Sequence, residues 1–269
     1  MSKDIIVEFS GGIDSLYAAH FLADKYDRIH LLTFYKGYLH FALKAAKGNV
    51  DLLKKQHGED KYIYKIFNIK NIFKEMAVKT YRETSKNYGN EVAWCIPCRA
   101  AMAVGSVIYA LENEISEFTD GANWEQAPDG TKLLTTADNF PEFLDLIKSF
   151  TEEFNVHYVP ILYDLNTRQE RRDELLKLGA KIDFNSMDRK KKSLLDVFDR
   201  DFYSRVQPIC LSGYLMHWKR NFFNVKENVT PEKVVNSIRP KLDNIGKKAV
   251  AKHFEEKGLN LQDILSTRN

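Results

Sequence analysis

The apolar residues near the start of the chain change their spacing several times, which predicts alternating strands and helices. Residues 5–9 (Ile-Ile-Val-Glu-Phe), 29–34 and 62–67 are short runs rich in β-branched and aromatic side chains, typical of strands. Apolar residues at helical spacing run from residue 13 to about 27, and a longer helical stretch, interrupted near Gly48, is predicted from about residue 39 to 55. Strands that alternate with helices in this way form parallel sheets with right-handed crossovers.

The next part of the chain continues the alternation. It predicts a helix plus a loop over 70–94, helices over 99–114, 140–154 and 167–178, and strands over 117–121 and 157–162. Gly179 marks the end of the last of these helices. The predicted fold class is therefore α/β, an open, mainly parallel five-stranded sheet with helices on both faces and a small helical C-terminal region.

The character of the chain changes after Gly179. Residues 181–225 are rich in both basic and aromatic side chains, including Arg-Lys-Lys-Lys at 189–192. Thr230 followed by Pro231 predicts the start of a helix, and the tail to residue 269 is helical and polar. We predict an α/β domain over 1–180 and a basic, aromatic helical region over 181–269. Cations interleaved with aromatic rings suit RNA, although a solvated helical face over a satellite core would have the same composition.

Composition changes this picture little. The chain has 269 residues, 44% of them apolar and 29% charged, and a net charge of +3, which is too small to imply a nucleic-acid partner by itself. The N-terminus does not resemble a signal peptide, and no window approaches the length of a membrane span, so we expect a cytoplasmic protein without a membrane partner. Three cysteines argue against a disulfide framework.

The segment Ser10-Gly11-Gly12-Ile13-Asp14-Ser15 lies where the first strand ends and a helix begins. Glycines there let the backbone approach an anion, and the helix N-terminus offers N–H donors. Ser10 and Ser15 add hydroxyl donors, and Asp14 suits a phosphate site if Mg²⁺ lies between the two. Neither Gly-x4-Gly-Lys nor Gly-x-Gly-x-x-Gly is present. A plain Ser-Gly-Gly turn before a helix is the alternative.

This segment resembles the signature Ser-Gly-Gly-x-Asp-Ser of the PP-loop ATP pyrophosphatases, over roughly residues 1–180. The resemblance implies that ATP is cleaved between its α and β phosphates and that a substrate oxygen is adenylated, with Asp14 positioning Mg²⁺ as a catalytic group. It implies nucleotide contacts from the loop and from the ends of later strands: Ser10, Gly11, Gly12, Ile13, Asp14, Ser15, Thr33, Phe34, Asp120 and Gly121. Residues 160–162 and 167–170 resemble the family's Pro-Leu strand and the helix that follows it.

The cysteines suggest a second reactive group. Cys95 and Cys98 have the C-x2-C spacing of a chelating turn for zinc or an iron–sulfur cluster, and of redox dithiols, while Cys210 stands alone. His217 could complete a zinc site with the three cysteines. In a [4Fe–4S] cluster, three thiolates would leave one iron without a protein ligand. Alternatively, the three cysteines are unrelated buried thiols without a ligand. The order Cys95, Cys98, Cys210 resembles the iron–sulfur subgroup of tRNA thiolation enzymes (2-thiocytidine and 2-thiouridine synthetases), which implies a catalytic role for Cys95 and Cys98.

Two further segments carry charge. Arg99 follows Cys98, and we expect it at a helix start beside the nucleotide, where its guanidinium could hold a phosphate. A cation at a helix N-terminus is unfavourable without an anionic partner, although a solvated arginine is the alternative. Residues 170–174 (Glu-Arg-Arg-Asp-Glu) are expected to form a surface face of a helix rather than a site.

The leading hypothesis is thus an ATP-dependent sulfurtransferase that adenylates a base and inserts sulfur using a [4Fe–4S] cluster, and the resemblance implies that this base is in tRNA. The alternatives are a small-molecule ligase similar to the preQ0 synthases, whose four-cysteine zinc cluster is missing here, and a nucleotide-binding protein without turnover that holds a structural zinc. The sequence specifies neither the substrate, the sulfur donor nor the oligomeric state, and a homodimer is compatible with it.

Overall fold

A five-stranded sheet, all of whose strands are parallel, forms the centre of the protein. The computed structural model describes residues 3–41, 43–123, 125, 137–180, 209–216 and 228–268. The sheet has the order β4-β2-β1-β5-β6 and is built from β1 (Asp4–Glu8), β2 (Arg28–Tyr35), β4 (Tyr62–Asn68), β5 (Glu117–Thr119) and β6 (His157–Tyr158). A separate antiparallel pair joins β3 (His40–Phe41) to β7 (Ile209–Cys210). The predicted fold class is confirmed.

Helices cover both faces of the sheet. They are α1 (Ile13–Phe21), α2 (Lys47–His57), α3 (Lys70–Phe73), α4 (Tyr81–Tyr88), α5 (Asn90–Glu112), α6 (Pro141–Glu152), α7 (Arg168–Lys177), α8 (Leu211–Met216), α9 (Pro231–Lys241), α10 (Lys247–Glu255) and α11 (Leu261–Ser266). Successive residues of a strand point to opposite faces. In β1, Ile5 and Val7 join the core with α1 and α2, whereas Ile6 joins the core with α5 and α6. Burial on both faces explains why β1 is apolar almost throughout.

The helix predicted over 39–55 is wrong in its first half. Tyr38 and Leu39 have positive φ angles of 51° and 60°, which a helix does not tolerate. The chain then pairs briefly as β3 with β7 and passes through a 3₁₀ turn, Leu43–Ala46, before α2 begins at Lys47. The strand predicted over 157–162 is also too long, because it ends at Tyr158 and the chain then turns.

Helix α5 begins at Asn90, nine residues earlier than the sequence predicts, and contains Pro97. It is the central helix of the larger core, and 17 of its residues are buried. Among the described residues it is also the one helix long and apolar enough for a membrane span, with a mean hydropathy of 1.5, so the expectation that no window approaches a span is wrong. Because 78% of that window is buried inside the protein, the apolar residues serve the core.

The C-terminal helices pack onto this larger core. Thr230 caps α9 through a hydrogen bond from the backbone N–H of Lys233 (3.3 Å), which confirms the predicted helix start. Val234 and Ile238 of α9 and Phe254 of α10 are fully buried in the cluster that contains α5. The predicted boundary near residue 180 borders residues 181–208, which lie outside the described part of the chain, so the two-domain division stays a prediction.

Candidate active site

The glycine loop between β1 and α1 is shaped to expose backbone donors. Gly11 has a φ of +73°, a conformation that favours glycine, and Gly12 is the N-cap of α1 without a side-chain cap. The hydroxyl groups of Ser10 and Ser15 lie 3.1 Å apart, and the backbone N–H of Ser10 donates to the Ser15 hydroxyl at 3.2 Å. Hydroxyl donors and the N-terminus of α1 therefore face one place, as an anion site requires.

A cavity of about 390 Å³ extends from this loop to the cysteines, within the size range of ligand sites. Most of the predicted site residues line it: Ser10, Gly12, Ile13, Asp14, Ser15, Thr33, Phe34, Cys95, Cys98, Arg99, Gly121 and Cys210. Gly11 and Asp120 do not. The carbonyl of Gly11 accepts a hydrogen bond from the Asn49 side chain (3.1 Å), and Asp120 is buried and pairs with Arg99. Residues far apart in sequence thus share one cavity.

Two close contacts fix the shape of the cavity wall. The Thr33 hydroxyl donates to the carbonyl of Phe9 at 2.6 Å and so ties the end of β2 to the glycine loop. A Cβ on Gly121 would lie 3.0 Å from the Cβ of Asp14 and 3.3 Å from the backbone N of Ser15. The loop after β5 therefore packs against the first turn of α1, and only glycine fits there without displacement.

Arg99 does not lie at a helix start, so the reason given for its role is wrong. It is in the third turn of α5, and its guanidinium pairs with the carboxylates of Asp120, Glu8 (3.4 Å) and Asp138 (3.8 Å). The Tyr158 hydroxyl also donates to Asp120 (2.7 Å). This network attaches α5 to the strand ends that carry the cavity. Any phosphate contact of Arg99 has to compete with these carboxylates.

Glu8 is a buried member of that network which the sequence analysis missed. Burial raises its pKa to about 8, opposed by the Arg99 charge and reinforced by Asp120. The Ser106 hydroxyl donates to its second carboxylate oxygen at 2.9 Å. The sequence contained one indication of this role, because Glu8 is the single polar residue near the end of the apolar run over 5–9.

Arg171 contradicts the expectation that residues 170–174 form only a surface face. Its side chain is 0% exposed, and its Nε lies 3.3 Å from the Oδ1 of Asp14. Another nitrogen donates to Glu125 at 3.1 Å, and a third donates to the carbonyl of Leu165 at 3.2 Å. Arg171 shares one face of α7 with the buried Leu175, four residues later, and this spacing was the signal that it points inward.

The three cysteines form a chamber at the other end of the cavity. Cys95 and Cys98 lie near the start of α5, and Cys210 is brought to them by the pairing of β7 with His40 of β3. A Cβ on Gly213 would lie 2.8 Å from the sulfur of Cys210 and 3.9 Å from that of Cys95. The missing Cβ leaves room between the two sulfurs. We call Cys95, Cys98, Cys210 and the adjoining Lys36 the sulfur chamber.

Thiols are donors that zinc and iron–sulfur clusters share, so the side chains of the chamber are chemically compatible with either group. Within the described residues, no group of three or more His, Cys, Asp or Glu side chains is arranged to hold a metal ion. Burial raises the pKa values of Cys95 and Cys98, which keeps both as thiols until a metal or another cation displaces their protons. His217, the candidate zinc ligand, and the basic, aromatic segment lie outside the described residues.

Comparisons with known proteins give structural neighbours only. No protein-family model and no curated protein sequence matches the chain. A 4-thiouridine synthetase in complex with RNA and with bound ATP is 15% identical, with a TM-score of 0.48 and a match over 92% of this chain and 53% of that one. The chain thus spans about half the length of that synthetase.

Two further solved structures are similar. The U34-tRNA thiolase NcsA from Methanococcus maripaludis, with its [4Fe–4S] cluster, is 12% identical over 91% of this chain and 73% of that one, with a TM-score of 0.38. A predicted subunit of tRNA methyltransferase from Methanocaldococcus jannaschii is 20% identical over 65% and 75% of the two chains, also with a TM-score of 0.38. Two of these three structural neighbours are thus tRNA thiolation enzymes by their names.

Proposed function

We propose that the chain is a cytoplasmic, ATP-dependent tRNA sulfurtransferase. In this reaction a base oxygen attacks the α-phosphate of ATP and pyrophosphate is released; sulfur then bonds to the base carbon, and the oxygen leaves with AMP. The observation that carries the proposal is the shared cavity, in which the exposed donors of the glycine loop and three thiols face the same space. An enzyme that joins nucleotide activation to sulfur transfer needs both groups within reach of one substrate atom.

The nucleotide would lie along the glycine loop, with its phosphates on the donors at the start of α1 and its base towards Thr33 and Phe34. Asp14 would hold Mg²⁺, which neutralises the charge that develops on the phosphates. The backbone N–H groups and the Ser10 and Ser15 hydroxyls would orient the α-phosphate for attack by the substrate oxygen. No general base is needed for this step, because a carbonyl oxygen attacks without losing a proton.

Cys95, Cys98 and Cys210 would hold a [4Fe–4S] cluster, which supplies an open iron that can bind the sulfur to be transferred. The protein's own contribution is to keep that iron inside the cavity that binds ATP. Substrate RNA would approach through the cavity mouth, with the cations and aromatic side chains of residues 181–225 as its predicted footprint.

The first experiment measures pyrophosphate release with and without tRNA. The wild-type protein should release pyrophosphate from ATP when tRNA is present, and Asp14→Ala should lose the activity while keeping its fold. Asp24→Ala, which removes an exposed acid just after α1, is the matched control and should stay active. Release that does not require tRNA would favour a small-molecule ligase, and no release at all would favour a binding protein without turnover.

The second experiment determines metal content after oxygen-free purification. We expect iron and acid-labile sulfide with broad absorbance near 400 nm, and Cys210→Ala should lose that absorbance. Colourless protein with one zinc per chain would contradict the sulfur-transfer step. A Lys190–Lys192 variant with neutral side chains that binds tRNA as tightly as the parent would remove that segment from the RNA footprint.

A further inference from the structure

Lys36 is a buried cation inside the sulfur chamber. It follows β2 directly, is 4% exposed, and lines the cavity together with the three cysteines. Its ammonium nitrogen lies 3.0 Å from the Cys210 sulfur, 4.9 Å from the Phe73 ring centre and 5.8 Å from the Trp94 ring centre. Of the ion pairs formed within the described ranges, none joins Lys36 to a carboxylate, and the two aromatic rings form an apolar wall around it.

A buried ammonium ion without a negative partner is costly, because the protein interior replaces water poorly around a charge. The aromatic faces compensate only a small part of that cost. The remaining negative charge near Lys36 can come from thiolates at Cys98, Cys210 and Cys95, or from a ligand in the chamber.

We propose that Lys36 is the charge-compensating residue of the sulfur chamber and makes it selective for an anionic sulfur species. The inference rests on the proposed function in one respect, that the bound anion is the sulfur to be transferred. A thiolate-ligated cluster carrying an additional sulfide is an anion, and so is free hydrosulfide. Lys36 would stabilise both, and it would disfavour a neutral or cationic occupant of the same space. Lys36 is therefore a positioning and specificity residue, whose role differs from that of the cysteines.

The test uses hydrosulfide as the probe on protein purified without oxygen, in whatever metal state it is isolated. Hydrosulfide is titrated calorimetrically into the wild-type protein and into Lys36→Met, Lys36→Arg and Lys70→Met, and ATP is titrated in parallel. Methionine fills the same volume against the aromatic wall, and arginine keeps the charge. Lys70→Met is the matched control, because Lys70 is exposed but its side chain lies against Gly37, next to Lys36.

We expect hydrosulfide to bind Lys36→Met at least about tenfold more weakly than the wild type, a difference of about 1.4 kcal/mol. Lys36→Arg should retain most of the affinity, Lys70→Met all of it, and the ATP affinity should stay within about twofold throughout. Unchanged hydrosulfide binding in Lys36→Met would overturn the inference, and so would a wild-type protein that binds none. A selective loss of ATP affinity would also overturn it and assign Lys36 to the phosphates.

The experiments distinguish a failure of the proposed function from a failure of the inference about Lys36. If tRNA is never thiolated but hydrosulfide binding depends on Lys36, the chamber is an anion site of another enzyme and the inference about Lys36 stands. If tRNA is thiolated but hydrosulfide binds equally well with and without Lys36, the proposed function stands and the inference about Lys36 is wrong.

Discussion

Replacing Arg171 with methionine tests whether α7 supports the glycine loop. The substitution removes a fully buried guanidinium that faces two carboxylates, Asp14 at 3.3 Å and Glu125 at 3.1 Å. Removing one partner of a buried ion pair costs about 3–5 kcal/mol, because the remaining charge is left uncompensated. Two carboxylates share this guanidinium, so the cost should lie in the upper part of that range.

The assay is thermal and denaturant unfolding of Arg171→Met beside Arg172→Met, its neighbour on the same helix. For chains of this size 1 kcal/mol moves the melting midpoint by roughly 2–4 °C, so a cost of about 4–5 kcal/mol should make Arg171→Met melt about 8–20 °C lower. Arg172→Met should stay within about 0.5 kcal/mol of the parent. Arg171→Lys keeps the charge but loses the fork geometry, and it should fall between the two.

The same variants report on the active site if they are assayed below their melting midpoints. A misplaced Asp14 should lower ATP turnover by about ten- to a hundredfold at saturating Mg²⁺, because displacements near 1 Å have effects of that size. Arg172→Met should turn over ATP normally. If Arg171→Met is as stable and as active as Arg172→Met, the contact between Arg171 and Asp14 does not matter and our interpretation of α7 is wrong.

Three smaller predictions concern single contacts. Gly121→Ala should weaken ATP binding about tenfold or more in calorimetry, because its Cβ would lie 3.0 Å from that of Asp14. Gly213→Ala should lower the iron content of oxygen-free protein, since its Cβ would lie 2.8 Å from the Cys210 sulfur. Burial lowers the pKa of Lys241 from 10.5 to about 8, so between those pH values only the unfolded state binds the extra proton. The free energy of unfolding should therefore rise by about 3 kcal/mol from pH 8 to pH 10.5, and Lys241→Met should lack that contribution. An unchanged ATP affinity, an unchanged iron content, or an identical pH profile would contradict these predictions in turn.

The parts of the fold that depend on neighbouring residues could be predicted from sequence. The strand over 5–9, the glycine turn and the helix from Ile13 are each specified within a few residues by periodicity and by glycine position. The start of α9 could be predicted for the same reason, because Thr230 and Pro231 cap and begin the helix within one turn.

The errors arose where distant segments determine the local structure. The pairing of His40 with Cys210 joins residues 170 positions apart, and no local pattern near residue 40 indicates a strand. The start of α5 was misplaced by nine residues, because the helix continues from Asn90 through Pro97, a residue that normally disfavours a helix interior, and burial of this segment in the core outweighs that preference. The burial of Arg171 depends on carboxylates contributed by α1 and by the loop after β5.

The site residues also divide into those that a local sequence pattern predicts and those that depend on distant segments. The loop Ser10–Ser15 and the cysteines could be chosen from sequence because their chemistry is tied to short spacings. Lys36 could not, since one lysine among the 40 basic residues of the chain carries no pattern of its own. Its significance depends on β2 ending beside α5, which is a property of strand order.

The balance of charge around the cavity separates its two ends. Arg99, which is 16% exposed, and the fully buried Arg171 lie near the glycine loop, and each is compensated by carboxylates of the protein itself. Lys36 is buried at the other end, and sulfur is its hydrogen-bonding partner there. Carboxylates of the protein thus compensate Arg99 and Arg171, whereas Lys36 has cysteine sulfurs near it instead. The sulfur chamber can therefore accept additional negative charge. A thiolate-bound cluster or a sulfide would bring such charge, and this is the reason for proposing Lys36 as the charge-compensating residue of the sulfur chamber.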